Sequence, residues 1–207
     1  MEDFMITIYG SPRSSAGRCI WTLEEAGVPY TIKEVDMRNK EHKSEEFLKI
    51  NPMGKIPAMV DGDITLFESM AINYYIADNY KKELLGNNAL EKGLAMQWSF
   101  WATSELQPPV IEVFVQKVFV PEDKRDNNVI EKNLGKLPAL LSVLDNALAS
   151  KKYVAGDNFT IGDINTASVV TICSAIGVDL SSYSHIGNWI SAINDREAFQ
   201  KYQGNRK

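Results

Sequence analysis

The order in which strand-like and helix-like segments alternate is the feature of this sequence that most limits its fold. Residues 4–9 form an apolar, β-branched run that predicts a buried strand. Helical spacing follows it, and Gly27 with Pro29 just beyond predicts where that helix ends. A second strand is predicted over 30–35. Because a helix connects the two strands, they are expected to be parallel.

The next 40 residues add an antiparallel pair to the same sheet. A short amphipathic helix is predicted to end near Ile50. The runs PAMV and ITLF flank Asp61 and Gly62, a dipeptide typical of a tight hairpin turn. A further helix is predicted to begin at Glu68 or Ser69. The order is therefore βαβαββα, which predicts an α/β domain with a mixed sheet.

Strand-like alternation stops at about residue 84, and 3.6-residue periodicity continues to the end of the chain. We therefore predict an α/β domain over 1–83, a linker over 84–91 and an all-helical domain over 92–207. Pro108 and Pro109 are expected to kink one long helix without ending it.

Charge and cysteine content exclude several classes of protein. Lys and Arg total 22 against 27 Asp and Glu, so the basic surface of a nucleic-acid-binding protein is not expected. Cys19 and Cys173 form no CxxC motif, and Cys19 is expected to pack inside a helix; no metal site is predicted. No segment reaches the roughly 18 apolar residues of a membrane span. A cytoplasmic protein without a membrane partner is expected.

The first strand-to-helix junction, GSPRSSAGRC, holds the most unusual local chemistry. The start of a helix presents unpaired N–H groups and a positive dipole end, so a hydroxyl there can help to stabilise an anion. Ser14 and Ser15 occupy that position. Composition alone favours the simpler alternative in which one of these serines caps the helix.

Further motifs in the first 80 residues, taken in order and spacing, resemble the glutathione site of the cytosolic glutathione transferases. The run VAGDNFTIGDI in the second half resembles the same family, so the likeness covers nearly the whole chain. Among the classes of this family, the pattern is most similar to the serine-type phi, theta and delta classes. The motifs are His42-Lys43, Asn51-Pro52-Met53-Gly54-Lys55-Ile56-Pro57, Asp61-Gly62 and Leu66-Phe67-Glu68-Ser69.

This resemblance implies a thioredoxin-like first domain and a catalytic serine. In the delta and theta patterns that serine lies four positions before an arginine, and counting back from Arg18 gives Ser14. Ser15 and Tyr9 are the alternatives, since tyrosine-type classes use a hydroxyl at the end of this strand.

The resemblance also implies the residues that bind glutathione, a peptide with two carboxylates and one ammonium. Ser69 and Glu68 would bind the γ-glutamyl head, and an extended Ile56 with a cis Pro57 would pair with the ligand's cysteine. His42, Lys43 and Lys55 would attract the glycine carboxylate. The structural alternatives are an ordinary helix start, an edge-strand proline and solvated surface charges, respectively.

A thiolate is the nucleophile that such a site would need. A free thiol with a pKa near 8.5 is only about 3% ionised at pH 7. Lowering the pKa by about two units needs roughly 2.7 kcal/mol of preferential stabilisation of the anion. A hydroxyl donating to a charged acceptor supplies roughly 1.5 to 3 kcal/mol and a helix start about 0.3 to 1. No other cofactor is therefore expected.

The second substrate is expected to be a hydrophobic electrophile. The family implies conjugation, with peroxide reduction as a further activity in detoxification, and a homodimer. A zeta-like isomerase and a non-catalytic domain of the same fold are the alternatives. Met70 stands where related sequences often have arginine, which is a departure near the γ-glutamyl head. The expected electrophile-site residues are Pro12, Arg13, Phe114, Val118 and Phe119.

Overall fold

A computed structural model describes residues 5–206. The chain divides into two compact units, one formed by residues up to 85 together with those from 195 onward, and the other by residues 86–194. The first boundary falls inside the segment predicted as a linker. The last helix belongs to the first unit, whereas the sequence placed all of 92–207 in the helical domain.

Within residues 5–85 and 195–206, the first unit has four strands and four α-helices. The predicted strand over 4–9 is observed from Ile6, and Phe4 lies outside the described residues. The elements are β1 (Ile6–Tyr9), α1 (Ala16–Ala26), β2 (Tyr30–Lys33), α2 (Glu45–Ile50), β3 (Ala58–Asp61), β4 (Ile64–Phe67), α3 (Ser69–Tyr80) and, after the second unit, α10 (Glu197–Gly204).

The strands form one mixed sheet in the order β2-β1-β3-β4. β1 pairs with β2 in parallel and with β3 antiparallel, and β3 pairs with β4 antiparallel. Gly27 ends α1 in the left-handed conformation, at φ 68°, as its position after the helical run predicts. The predicted order and the mixed sheet are confirmed.

The core of the first unit lies between the sheet and the helices that cover it. Ile6, Ile8 and Met59 from the strands are almost fully buried, as are Ile20 of α1 and Ile72 of α3. Burial of each such side chain stabilises the fold by about 1.5 to 3 kcal/mol. This packing holds α1 and α3 in place, and both helices begin at the same edge of the sheet.

The second unit is helical throughout the part that is described. One long helical stretch contains a π-helical turn over Ala102–Leu106, directly before Pro108 and Pro109, so the prolines disturb the helix without ending it, as predicted. The helices are α4 (Ala89–Trp101), α5 (Gln107–Val118), α6 (Asn127–Leu134), α7 (Leu137–Leu148), α8 (Ile161–Ala175) and α9 (Ser184–Asn194).

The start of α8 is a buried polar centre. Asp163 accepts hydrogen bonds from the Val154 N–H, the Thr160 N–H and the Trp189 indole N–H, each at 2.9 Å, and from the Thr160 hydroxyl at 3.1 Å. Burial raises the pKa of the Asp163 carboxyl to about 6, although these donors act in the opposite direction. A capping box forms here, as TIGD predicts.

Among residues 5–206, none of the helices has the length and apolarity needed to cross a membrane.

Candidate active site

The sheet register brings the predicted site segments to one edge. Lys33, Tyr9, Ala58 and Phe67 stand opposite one another across all four strands. The serine-rich junction follows Tyr9, the cis-proline segment precedes Ala58, and Glu68 follows Phe67. Segments that are far apart in the sequence therefore meet where these strands begin or end.

Ser14 lies at the beginning of α1 and is half-buried. Its hydroxyl donates to the Ser11 carbonyl oxygen at 2.7 Å, and its Oγ accepts from the Ala16 N–H at 3.1 Å. The Ser11 carbonyl also accepts from the Ser14 N–H at 3.0 Å. Ser14 thus caps α1 with its oxygen while its single proton points to a carbonyl that already has another donor.

The absence of a side chain at Gly10 brings the Ser14 hydroxyl close to the cis-proline segment. A Cβ at Gly10 would lie 3.3 Å from the Cβ of Ile56 and 3.4 Å from Ser14 Oγ, and only 2.8 Å from the Cβ of Ala16. Gly10 also has a φ of 131°, which side chains rarely adopt. The peptide bond between Ile56 and Pro57 is cis, as predicted.

The loop before Pro57 is held by a buried asparagine. The Asn51 amide donates to the Lys55 carbonyl at 2.6 Å, and its oxygen accepts from the Met53 N–H at 3.0 Å. Gly54 has a φ of 56°, and a Cβ there would lie 2.7 Å from both the His42 carbonyl oxygen and Lys43 Nζ. The loop and the His42–Lys43 turn are therefore in direct contact.

His42 and Lys43 lie at that contact, and Lys55 follows Gly54 in the same loop. Lys43 Nζ donates to the Met53 carbonyl at 3.2 Å, and both Lys43 and Lys55 are exposed. His42 is half-buried, and its Nδ1 has no hydrogen-bond partner among the described residues. Exposed ammonium groups beside an unpaired imidazole nitrogen can attract a carboxylate.

Glu68 and Ser69 stand at the beginning of α3. Glu68 is exposed and has a φ of 70°, an uncommon conformation for a residue with a side chain. The Ser69 carbonyl lies 3.7 Å from Cys19 Sγ of α1, which packs the two helix starts together. Cys19 is fully buried, and burial raises the pKa of its thiol to about 12, so this thiol is not a nucleophile.

The alternatives to Ser14 have different surroundings. Ser15 makes no side-chain cap with α1 and is half-buried. The Tyr9 ring packs edge-on against Phe47 of α2 at 6.1 Å, and Lys33 Nζ lies 5.5 Å from its centre. Tyr9 therefore belongs to the packing of the sheet against α2.

The residues predicted for the electrophile site differ in exposure. Pro12 is buried, and its carbonyl accepts from the Tyr202 hydroxyl, so its burial does not support a role in contacting a substrate. Arg13 is exposed, with its Nε donating to the Arg206 carbonyl at 2.8 Å. In the second unit, Phe119 is 71% exposed and meets Phe114 edge-on at 5.8 Å, and Val118 is also exposed.

Sequence reasoning missed the residues that hold the site in place. Asn51 carries a local signal, because its oxygen accepts from the N–H two residues on, a known turn pattern. For Gly10 and Gly54 the sequence signal is weak, because it says only that glycine can adopt backbone conformations that other residues rarely adopt. Tyr202 has no local signal, since its partner Pro12 is 190 positions away.

No group of three or more His, Cys, Asp and Glu side chains in the described part of the chain is arranged to hold a metal ion.

Comparison with known proteins gives a consistent result over both halves. Residues 5–78 match the family model for the glutathione S-transferase N-terminal domain, and residues 106–197 match the model for the glutathione S-transferase C-terminal domain. Glutathione S-transferase 1 of Zea mays is 36% identical over 205 residues, covering 94% of each chain. Glutathione S-transferase F10 of Arabidopsis thaliana is 32% identical, covering 95% of each.

Solved structures are similar over nearly the whole chain. Glutathione S-transferase I bound with lactoylglutathione superposes with a TM-score of 0.89 at 34% identity, covering 97% of this chain and 99% of that one. A theta-class glutathione S-transferase from Xanthomonas axonopodis pv. citri with glutathione bound gives a TM-score of 0.89 at 32% identity, covering 95% of each chain.

Proposed function

Because this chain belongs to the glutathione S-transferase family, we propose that its Ser14 hydroxyl activates the thiol of bound glutathione. The chain is a transferase that uses glutathione as its co-substrate, with a thioredoxin-like first domain and a helical second domain. The reaction joins the glutathione sulfur to an electrophilic carbon.

The observation that carries this proposal is the hydrogen-bonding state of Ser14. Its Oγ accepts from the Ala16 N–H, which strengthens the hydroxyl as a donor. Rotating the hydroxyl away from Ser11 leaves that carbonyl satisfied by the Ser14 N–H, so redirecting the proton costs little. The proton can then be donated to a thiolate, while the start of α1 adds its positive dipole end.

Stabilisation of the anion is sufficient without a general base. Donation to a charged acceptor contributes roughly 1.5 to 3 kcal/mol, which lowers the pKa of the thiol by about one to two units. At the upper end of this range, with a pKa of about 6.5, most of the bound glutathione is thiolate at pH 7. Ser14 itself stays protonated throughout.

The rest of the ligand is proposed to lie along the same edge of the sheet. The backbone of Ile56, before the cis Pro57, pairs with the ligand's cysteine as a short extra strand would. Glu68 pairs with the γ-glutamyl ammonium, and Ser69 donates to its carboxylate. Lys43 and Lys55, with His42, attract the glycine carboxylate. Support comes from the exposure of Glu68 and of both lysines.

For the second substrate we propose a hydrophobic electrophile that contacts Phe114, Val118 and Phe119. The exposed apolar surface at the end of α5 supports this assignment. Arg13 is proposed to contact an anionic group of the substrate. Glutathione S-transferase I from maize, which is 34% identical to this chain, has been crystallised in complex with an atrazine glutathione conjugate. Peroxides are proposed as further substrates.

We also propose that the protein is a cytoplasmic homodimer. Each unit by itself exposes large apolar side chains, Ile64 and Tyr74 in the first and Leu90 and Phe100 in the second, and their exposure supports this proposal. The two cysteines are free and buried, which suits a reducing compartment. Light scattering coupled to gel filtration measures the assembly.

Two measurements test the proposed function directly. The protein should be retained on glutathione resin and should conjugate glutathione to a generic aromatic halide. Retention without conjugation would point to a non-catalytic binding domain, and failure of both would contradict the glutathione site itself.

A further inference from the structure

Ser14 is the last residue of a tight turn. The Ser14 N–H donates to the Ser11 carbonyl at 3.0 Å, which closes a four-residue turn with Pro12 and Arg13 at its centre. Proline is favoured at the second position of such a turn because its φ is already suitable. The position of the Ser14 hydroxyl therefore depends on the two central residues.

Both central residues are bound by the last helix and the residues after it. The Tyr202 hydroxyl of α10 donates to the Pro12 carbonyl at 3.3 Å, and Tyr202 is buried. The Arg13 side chain donates from Nε to the Arg206 carbonyl at 2.8 Å, and the Arg206 guanidinium lies 5.6 Å from the centre of the Tyr202 ring. The C-terminal segment thus holds the turn at two consecutive residues.

Helix α10 is itself fixed against α1. Arg196, just before α10, makes two hydrogen bonds with the buried Glu25 carboxylate, at 2.7 and 2.6 Å. Trp21 stacks with the Tyr202 ring at 6.0 Å and contacts Phe199 at 4.7 Å. This rigid packing lets a contact from α10 determine where the turn lies.

Gly17 allows the close approach of the three segments. A Cβ at Gly17 would lie 2.4 Å from the Pro12 carbonyl oxygen and 2.5 Å from the Tyr202 hydroxyl. Any side chain there would push apart the two atoms that connect α10 to the turn. The hydrogen bond between Tyr202 and Pro12 therefore requires glycine at position 17.

We propose that the C-terminal helix positions Ser14, with Tyr202 as the positioning residue that acts through Pro12. This inference rests on the proposed function of Ser14. Tyr202 does not touch the reacting atoms; it fixes the turn that presents the Ser14 hydroxyl to the sulfur.

Tyr202→Phe removes one hydroxyl and keeps the ring that packs on Trp21. We expect kcat to fall about three- to tenfold, and the pH profile of kcat to move to higher pH because the thiolate is less well stabilised. KM for glutathione should stay within about twofold. Tyr30→Phe is the matched control, since the Tyr30 hydroxyl accepts from Asn205 at 2.9 Å but does not touch the turn.

An equal change in kcat and pH profile for Tyr30→Phe and Tyr202→Phe would overturn the proposal, and so would a wild-type pH profile for Tyr202→Phe. Thermal denaturation of each variant checks that it is folded. Gly17→Ala disrupts the same contact by adding a methyl group between Tyr202 and Pro12, and it should also move the pH profile of kcat to higher pH.

A double variant separates this inference from the proposed function. Adding Tyr202→Phe to Ser14→Ala should cost no further activity if Tyr202 acts through Ser14. If Tyr202→Phe lowered kcat as much in the Ser14→Ala background as in the wild type, the positioning role would be overturned. If instead Ser14→Ala alone leaves the pH profile unchanged, the proposed function fails, and the positioning role fails with it.

Discussion

The starts of α1 and α8 have similar local chemistry and opposite surroundings. Each has a hydroxyl residue near the helix start, Ser14 two positions before the first residue of α1 and Thr160 directly before α8. At α8, Thr160 and Asp163 have no exposed surface, and the carboxylate accepts from four donors. At α1, Ser14 is half-buried, and its proton lies on a carbonyl with a second donor.

The difference shows that burial decides the role of a polar helix start. Where every donor is satisfied inside the protein, as around Asp163, the arrangement stabilises the fold and cannot accept a ligand. Where one donor can be redirected at the surface, as at Ser14, the arrangement can bind an anion. Each of the following changes tests one side of this contrast.

The largest effect is expected for Asp163→Ala. It leaves the Val154 and Thr160 N–H groups and the Trp189 indole without an acceptor in the interior. The free energy of unfolding, measured with urea, should fall by about 3 to 5 kcal/mol. Asp157→Ala removes an exposed carboxylate nearby and should change stability by less than about 0.5 kcal/mol. Equal losses in the two variants would contradict the contrast.

A pH dependence of stability should follow from the same carboxyl group. Its pKa is raised to about 6 in the folded protein, above its unfolded value, so its contribution to stability is full at low pH and is lost as pH rises through 6. Between pH 4.5 and 7, the stability of the wild type should therefore fall by about 2 to 3 kcal/mol relative to Asp163→Asn, which cannot ionise. Parallel stability curves for the two proteins would refute this assignment.

Ser14→Ala should affect catalysis more than stability. Loss of the donor to the thiolate should lower kcat about 10- to 100-fold and raise the pH at which bound glutathione ionises, with little change in binding. The lost helix cap should cost about 1 kcal/mol of stability. Ser15→Ala is the control, because Ser15 makes no cap, and should behave as the wild type does. A wild-type pH profile for Ser14→Ala would transfer the role to Ser15 or Tyr9.

The smallest effect is expected at the start of α3, where the Glu68 carboxylate is proposed to bind the ligand's ammonium group. Glu68→Gln should raise KM for glutathione about threefold to fivefold, with kcat within twofold, because an exposed ion pair contributes only about 1 kcal/mol. Asp63→Asn, in the turn at the opposite edge of the sheet, should leave KM unchanged. An unchanged KM in Glu68→Gln would remove Glu68 from the proposed site.

Much of the first unit could be predicted from sequence, because its signals are local. Strand alternation, the hairpin and the Gly27 stop each depend on neighbouring residues, and all three are observed. The hairpin turn lies one residue later than predicted, at Gly62 and Asp63, because Asp61 still pairs with Ile64 as the last residue of β3. The sequence did not predict that α10 belongs to the first unit, because no local pattern indicates that Arg196 pairs with Glu25. The burial of Pro12 was unpredicted for the same reason, because Tyr202 covers it from the far end of the chain.

The sequence by itself determined the order of the elements and the residue types at the junctions, because periodicity, turn preference and capping act over a few positions. Only the tertiary structure decided which junctions meet, how Gly10 brings Ser14 near Ile56, and how the last helix holds the turn before α1. Those outcomes depend on strand register and on contacts between residues up to 193 positions apart. Such contacts form only when the whole core is assembled, since no single segment contains both partners.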